Sequence, residues 1–365
     1  DSHATGHVTA SNGGIGGLIG GTDQTAILNT YATGNVSGSN YVGGLVGYNE
    51  NTSVSVSYAT GNVSITGGCA GGLIGFSHTG SSVSNSSASG AVSGVGTLGG
   101  LIGQNLDSAV SDSYATGAVN GRQAGVGGLM GENYDGTVFN CSASGNVNTG
   151  DITWNSMAGG LAGVNTGTIS SCSAIGNVSA TGDYVGGLIG DNRIGGSVSN
   201  SSAAGAVSGN AFVGGFAGQN EENSSIYNSH AMGLVSGNDN GTGGFVGLNN
   251  GSISASYATG NVIGNPCIGG FAGYNDYGVI NTSYASGNVS GGWDVGGFVG
   301  LNNYGTVNNS YSTGTAGATN NRVGGFVGTN FAGVSDSYAR GNTSGVQYIG
   351  GFAGMNQGLS AVITR

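Results

Sequence analysis

The chain has 365 residues, 82 of them glycine and one proline, and its 5 basic and 16 acidic residues leave a formal charge of −11 with no lysine. Its five arginines (Arg122, Arg193, Arg322, Arg340 and Arg365) are too few and too scattered to neutralise a run of phosphates, which excludes nucleic acid and an anionic membrane surface as partners. No apolar run approaches the ~18–20 residues of a membrane-spanning helix, so no membrane insertion is expected.

Glycine at this level suggests disorder, but disordered chains lack periodic apolar residues. Here 37% of residues are hydrophobic and 6% charged, and the apolar positions keep register. The run Gly-Gly-Leu/Phe-aliphatic-Gly recurs thirteen times, beginning at Gly16, Gly43, Gly71, Gly99, Gly127, Gly159, Gly186, Gly214, Gly243, Gly269, Gly296, Gly324 and Gly350. Successive runs start 26 to 32 residues apart, most often 28. A fixed period of this size sets the architecture before local propensity does, because one repeat cannot bury its own apolar face and has to stack on the next. The expected fold is all-β: a single parallel β-solenoid of about 13 coils with no helices of note, forming one continuous domain over residues 1–365.

In chain order, residues 1–6 (Asp-Ser-His-Ala-Thr-Gly) match the middle of a repeat such as Asp112 to Gly117, and the chain stops at about the same phase after Leu359. Solenoid ends carry polar caps. None is evident at the first coil, and Ala361 to Arg365 make a weak one at the last. A segment of a longer surface protein, or a filament subunit, is therefore expected. Within residues 29–56, the alternation Tyr31-Ala32-Thr33-Gly34-Asn35-Val36-Ser37 predicts a strand with Ala32, Gly34 and Val36 inward and the others outward. Gly38 to Asn40 turn the chain, Val42 to Gly47 form a second strand, Tyr48 to Asn51 turn again, and Val54 to Val56 begin a short third. Each coil is read as two to three strands.

The Leu/Phe position is leucine from Leu18 to Leu188 and phenylalanine from Phe216 to Phe352. The next residue is mostly Ile, Val or Met after Leu but only Val or Ala after Phe, as a close-packed shared interior requires. An asparagine follows the run in eleven coils, from Asn49 to Asn356. Such recurrence points to an amide ladder that satisfies backbone groups rather than to a ligand site.

Three outward columns are the candidate binding face. The first holds Tyr31, Tyr58, Tyr114, Tyr257, Tyr284, Tyr311 and Tyr338, with serine or histidine in other coils. Stacked aromatics stabilise a sheet, and the same strip suits a sugar or protein partner. Beside it run Thr33, Thr60, Thr116 and Thr259, then Asn35 and Asn62, a flat polar array of the kind that orders water on ice-binding solenoids. Ile175, Ala204, Met232 and Arg340 interrupt the threonine column.

Cys141 and Cys172 share a repeat position in adjacent coils, ~4.8 Å apart at the parallel-strand spacing, within disulfide range. A bond between them is weighed against two buried thiols. Catalytic candidates are sparse. His3, His7, His78 and His230 have no nucleophile beside them, and Asp191 with Arg193, Glu221-Glu222 and Asp183 lie at turns, where solvated charge is expected. Neither metal nor cofactor is implied. The turn between the two main strands varies in length and collects Trp154, Tyr184, Phe212, Trp293 and Tyr348, with Arg122, Asp183, Asp239, Pro266, Asp294 and Arg322. Variable insertions map to one edge of a solenoid, so this ridge is a candidate recognition surface.

The unit Asn-Ser-Tyr-Ala-Ser/Thr-Gly-Asn-Val-Ser-Gly followed by Val-Gly-Gly-Leu-Val-Gly-x-Asn, seen with small variations at 29–49 and 281–302, resembles the GLUG repeat. The resemblance covers essentially the whole chain. It implies an extracellular β-solenoid of the kind found in large secreted and surface-anchored bacterial and archaeal proteins, including adhesin-like chains and stalks beside IgA-cleaving metallopeptidases. The family brings no catalytic residues, and the zinc-protease motif HExxH is not present here. The function expected is non-enzymatic: the repeat region of a surface adhesin or a surface filament building block. The expected partners are other copies, end to end or side by side, or surface glycans. The alternative is an ice- or polysaccharide-binding solenoid using the Thr/Asn/Ser/Tyr face.

Overall fold

A computed structural model describes residues 2–122, 125–150 and 156–365. It is an all-β parallel β-solenoid of about 13 turns, with no helix among the described residues. The chain forms two compact units, residues 1–181 and 182–365, built on the same coil.

A coil has five short strands rather than two or three. In one coil of the first unit they are Thr30–Ala32, Val36–Gly38, Tyr41–Gly43, Val46–Glu50 and Ser53–Ser55. The alternation from Tyr31 to Ser37 that reads as one strand is two, separated by a bend at Thr33 to Asn35. The glycine run is likewise two strands, because the chain reverses at Gly44-Leu45. Equivalent strands pair in parallel and in register within each unit: Tyr31 with Tyr58, Val54 with Val83 and Ile102 with Met130 in the first, Tyr284 with Tyr311 and Asn302 with Asn330 in the second.

Two glycine positions show why the repeat needs them. A Cβ on Gly34 would strike the carbonyl of Gly6 one coil away, and one on Gly47 would strike the backbone of Gly14 and Ile15. Backbones approach there too closely for any side chain. At the corner between the fifth strand and the next first strand, φ is positive at Asn29, Asn85, Asp112 and Asn140, and again at Asn200, Asn228, Asn309 and Asp336. Asn and Asp tolerate that left-handed conformation best. Val56 occupies the same corner at φ 50°, where a β-branched residue is strained.

The core is the stack of inward residues. Leu45, Leu73, Leu101 and Leu129 are fully buried in the first unit, and Phe216, Phe245, Phe271, Phe298 and Phe326 in the second. The phenylalanines stack ring on ring from Phe216 to Phe352, with centroids 4.7–4.9 Å apart.

Two polar ladders bind neighbouring coils. The buried asparagines pass a side-chain hydrogen bond forward: Nδ2 of Asn105 donates to Oδ1 of Asn133 (2.8 Å), and Asn133 donates to Asn165 (2.8 Å). In the second unit Asn192, Asn220, Asn249, Asn275, Asn302, Asn330 and Asn356 form one unbroken series. The same Nδ2 groups also reach a turn carbonyl, as Asn275 does to Gly278 O (3.1 Å). The second ladder is serine. Each hydroxyl donates to the carbonyl two residues upstream and accepts the backbone N–H of the preceding coil, as Ser86 does from Ser57 (3.2 Å) and Ser283 from Ser256 (3.3 Å).

Candidate functional site

The candidate face is where the alternation places it. Thr33, Thr60, Thr116 and Thr259 are exposed, and so are Asn35 and Asn62. The asparagine oxygens, however, are already engaged. Oδ1 of Asn35 accepts the backbone N–H of Asn62 (3.0 Å), Asn62 accepts that of Ala91 (2.9 Å), and Asn261 accepts that of Asn288 (2.9 Å). These amides tie each bend to the next coil through one lone pair of Oδ1, with the N–H₂ group and the second lone pair left toward solvent. Ile175 and Met232 stand exposed in the threonine column and break its hydroxyl array.

The tyrosine column is a stacked ladder. His3, Tyr31 and Tyr58 lie at 4.8 and 5.0 Å with nearly parallel rings. In the second unit His230, Tyr257, Tyr284, Tyr311 and Tyr338 continue at 4.8–5.0 Å, and Arg340 lies 5.1 Å from the last ring centroid. Burial lowers the pKa of His230, favouring the neutral imidazole. Parallel stacking at the strand spacing consumes ring faces, so an interior ladder tyrosine shows a ligand only its edge and hydroxyl. Tyr114 differs: it pairs with Ser87 and Ser142, not with rings, and is 50% exposed.

Tyr184, Phe212, Asp294, Arg322 and Tyr348 stand in one column, each just ahead of the paired residues Val185, Val213, Val295, Val323 and Ile349. Trp154 lies outside the described residues. Tyr184 stacks on Phe212 (5.3 Å), whose edge meets Tyr274 (6.3 Å). Trp293 follows further along, with Arg322 over its ring (6.0 Å). Arg322 Nη2 also reaches Asp294 Oδ2 at 2.8 Å, and the Thr329 hydroxyl donates to Asp294 Oδ1. Burial raises the Asp294 pKa, against the Thr329 hydrogen bond and the Arg322 charge. Tyr348 is exposed. The backbone is left-handed at Tyr184, Phe212, Asp294, Arg322 and Tyr348, with φ from 50° to 66°.

Cys141 and Cys172 are free, buried thiols. They occupy the serine-ladder position and act as its hydroxyls do. Cys172 Sγ accepts the Cys141 N–H (3.4 Å), and the two thiols face the carbonyls of Phe139 and Ser170 (both 3.2 Å). The hydrogen bond with Cys172, followed by burial, pushes the Cys141 thiol up. Cys69 and Cys267, also buried, are pushed up to about 12, chiefly by burial. None of the three raised thiols has the lowered pKa of a reactive nucleophile.

Among the acidic candidates, Asp191 departs from the solvated turn residue that its setting in the sequence suggests. It lies in the strand Ile189–Asn192 and is only 2% exposed. Oδ2 accepts Arg193 Nε at 2.8 Å, while Oδ1 has no partner. Burial, opposed by the Arg193 hydrogen bond, raises its pKa to about 6. Glu221 and Glu222 edge a shallow cleft of about 570 Å³ with Ile194, Gln219, Asn250 and Tyr277. Asp183 accepts Asn210 Nδ2 and the Ala211 N–H. The histidines are dispersed: His7 Nδ1 accepts the Asn35 N–H (3.0 Å), and His78 sits 3.4 Å from Glu50. Among the described residues no three His, Cys, Asp or Glu are grouped to hold a metal ion.

One cluster in the first unit escapes the sequence reading. Tyr41, Tyr48, Phe76 and His78 gather with ring centroids 5.1–6.2 Å apart, and the Tyr48 hydroxyl donates to Glu50 (3.0 Å). The available signal is that Tyr48 and Phe76 share the column just after the glycine run, where most coils are not aromatic.

Comparison with known proteins agrees with the repeat. A family model described as the GLUG motif matches residues 38–64, 66–93, 94–120, 123–148 and 264–290, segments that fall in both units. No curated protein and no solved structure matches the chain.

Proposed function

We propose that this chain, a β-solenoid of GLUG motif repeats, is the non-enzymatic scaffold of an extracellular surface protein of the adhesin type, whose outward sheet faces meet surface glycans. One observation supports this reading most: the recurrent side chains that carry chemistry are joined to the neighbouring coil. The asparagine amides, the serine hydroxyls, the Cys141 and Cys172 thiols and most tyrosine faces hold coils together rather than converge on a reacting atom. Surface shape and polarity are then what the chain offers a partner, at the breaks in those columns.

The test is made in the producing organism. Deleting residues 1–365 in frame is expected to remove a protease-accessible surface protein segment and to lower cell attachment to glycan-coated surfaces. Recovery of the protein only from the cell interior, or unchanged attachment after the deletion, counts against the reading.

A further inference from the structure

The aromatic column has one place where a single ring is missing between two others. In the first unit it reads His3, Tyr31, Tyr58, Ser87, Tyr114 and Ser142 in successive coils, paired residue to residue. Where rings are adjacent they stack at 4.8–5.0 Å with planes within 5°. At Ser87 the stack stops. Exposure follows the gap: Tyr31, covered on both faces, is half-buried, whereas Tyr58 and Tyr114 are 41% and 50% exposed. In the second unit the run from His230 to Tyr338 has no such break, and it is the terminal Tyr338 that is exposed.

We propose that the gap over Ser87 is a binding site for one pyranose ring of a polysaccharide, held between the facing sides of Tyr58 and Tyr114. Two strand spacings set these rings on the order of 10 Å apart. Carbon atoms in good contact lie ~3.5–4.0 Å apart, so a flat ring halfway across is too thin to touch both sides closely. A chair-shaped sugar is thicker and carries C–H groups on both faces.

The charge distribution selects in the same direction. An aromatic face is negative and its edge positive, so two ring faces pack poorly as a sandwich, whereas the positive hydrogens of a sugar face complement both tyrosines. Backbone pairing forces the ladder rings into that sandwich, and a free ligand is under no such constraint. Thr60, Ser89 and Thr116 stand exposed two residues further along the same three coils and offer hydroxyls to those of the sugar. The half-buried Ser87 forms the floor. Elsewhere the column offers one free face at most, as beside Ser142 or where His230 meets Ser202, and a sugar held on one side only loses half the contact. The site rests on the glycan part of the reading above and gives it a location.

The experiment titrates the full chain with cellohexaose, chitohexaose and maltohexaose, followed by calorimetry and tyrosine fluorescence. At least one hexasaccharide is expected to bind with a stoichiometry of one. Ser87→Tyr completes the ladder, so it should keep or raise Tm while weakening binding at least tenfold. Ser87→Ala leaves the gap open and should change affinity less than about threefold. Tyr311→Ser opens an equivalent gap between Tyr284 and Tyr338 and is expected to raise the stoichiometry to two. No binding by the unaltered chain, or binding that S87Y leaves intact, overturns the site. Binding that S87Y abolishes, in a protein whose deletion leaves cell attachment unchanged, upholds the site and overturns only its use in adhesion.

Discussion

The coils up to Leu188 and those from Phe216 onward share a backbone but fill it differently. In the first group a leucine sits beside a mostly bulky residue, as in Leu73-Ile74 and Leu129-Met130. In the second a phenylalanine sits beside alanine or valine, as in Phe271-Ala272 and Phe326-Val327, and all these side chains are fully buried. The phenylalanines add a continuous ring stack that leucines do not form. The coil therefore fixes a volume rather than a residue, and the two members of each pair trade size between them.

The largest effect is expected from emptying that volume. Phe271→Ala should cost about 3–5 kcal/mol in urea unfolding, more than Leu101→Ala at about 2–5. The sharper comparison is a double-mutant cycle. Phe271→Leu and Ala272→Ile are each expected to destabilise, the first by a cavity and the second by overpacking. Together they recreate the leucine-type pair, and the double variant should lose at least ~1 kcal/mol less than the sum. Simple additivity would mean that the two positions do not share one space.

The asparagine ladder supplies the next contrast. In the second unit it is unbroken, whereas in the first Ser77 replaces an asparagine, and Ser77 Oγ, Asn49 Oδ1 and Asn105 Oδ1 are all buried without partners. Asn275→Ala removes bonds on both sides of an intact ladder and is expected to cost ~2–4 kcal/mol by denaturant titration, whereas Asn49→Ala should cost about half of that. Ser77→Asn restores the missing link and should stabilise by ~1 kcal/mol, seen as a raised urea midpoint.

Asp191 gives a pH dependence. Its carboxyl has a pKa of about 6 in the fold against 3.8 unfolded, so between these values the folded state holds a proton that the unfolded chain has lost. Stability contributed by this group is present below pH ~4 and falls as pH rises through ~6, by on the order of 2–3 kcal/mol. Asp191→Asn should flatten that part of the profile in urea titrations from pH 4 to 7. The smallest effect concerns the corners: Val56→Asn is expected to raise stability by ~1 kcal/mol, because asparagine tolerates the left-handed backbone that valine resists.

Much of this was legible in the chain because a repeat reports each position thirteen times. The inward Ala32, Gly34 and Val36, the Leu-to-Phe change and the asparagine ladder all follow from comparing coils. The number of strands did not, because segments of two or three residues are too short for period two to mark their ends, and Tyr31 to Ser37 read as one strand. The burial of Asp191 was hidden for another reason. Its column holds Gln219 in the next coil and Tyr48 and Phe76 in others, so no periodic signal says which side chain is covered. The outward Asn35 column looked available for water or ligand because sequence shows that a side chain points out, not that a neighbouring N–H already uses its oxygen.

The recurring asparagines are links between coils. Hydrogen exchange of the side-chain N–H₂ groups, followed by ¹H–¹⁵N NMR, tests these links most directly. Asn105, Asn133, Asn220, Asn249, Asn275, Asn302 and Asn330 are expected to stay protected for hours, Asn49 to exchange sooner, and the outward Asn35 and Asn62 to exchange at once. Exchange of all of them at the same solvent-limited rate would mean that the buried amides do not link the coils.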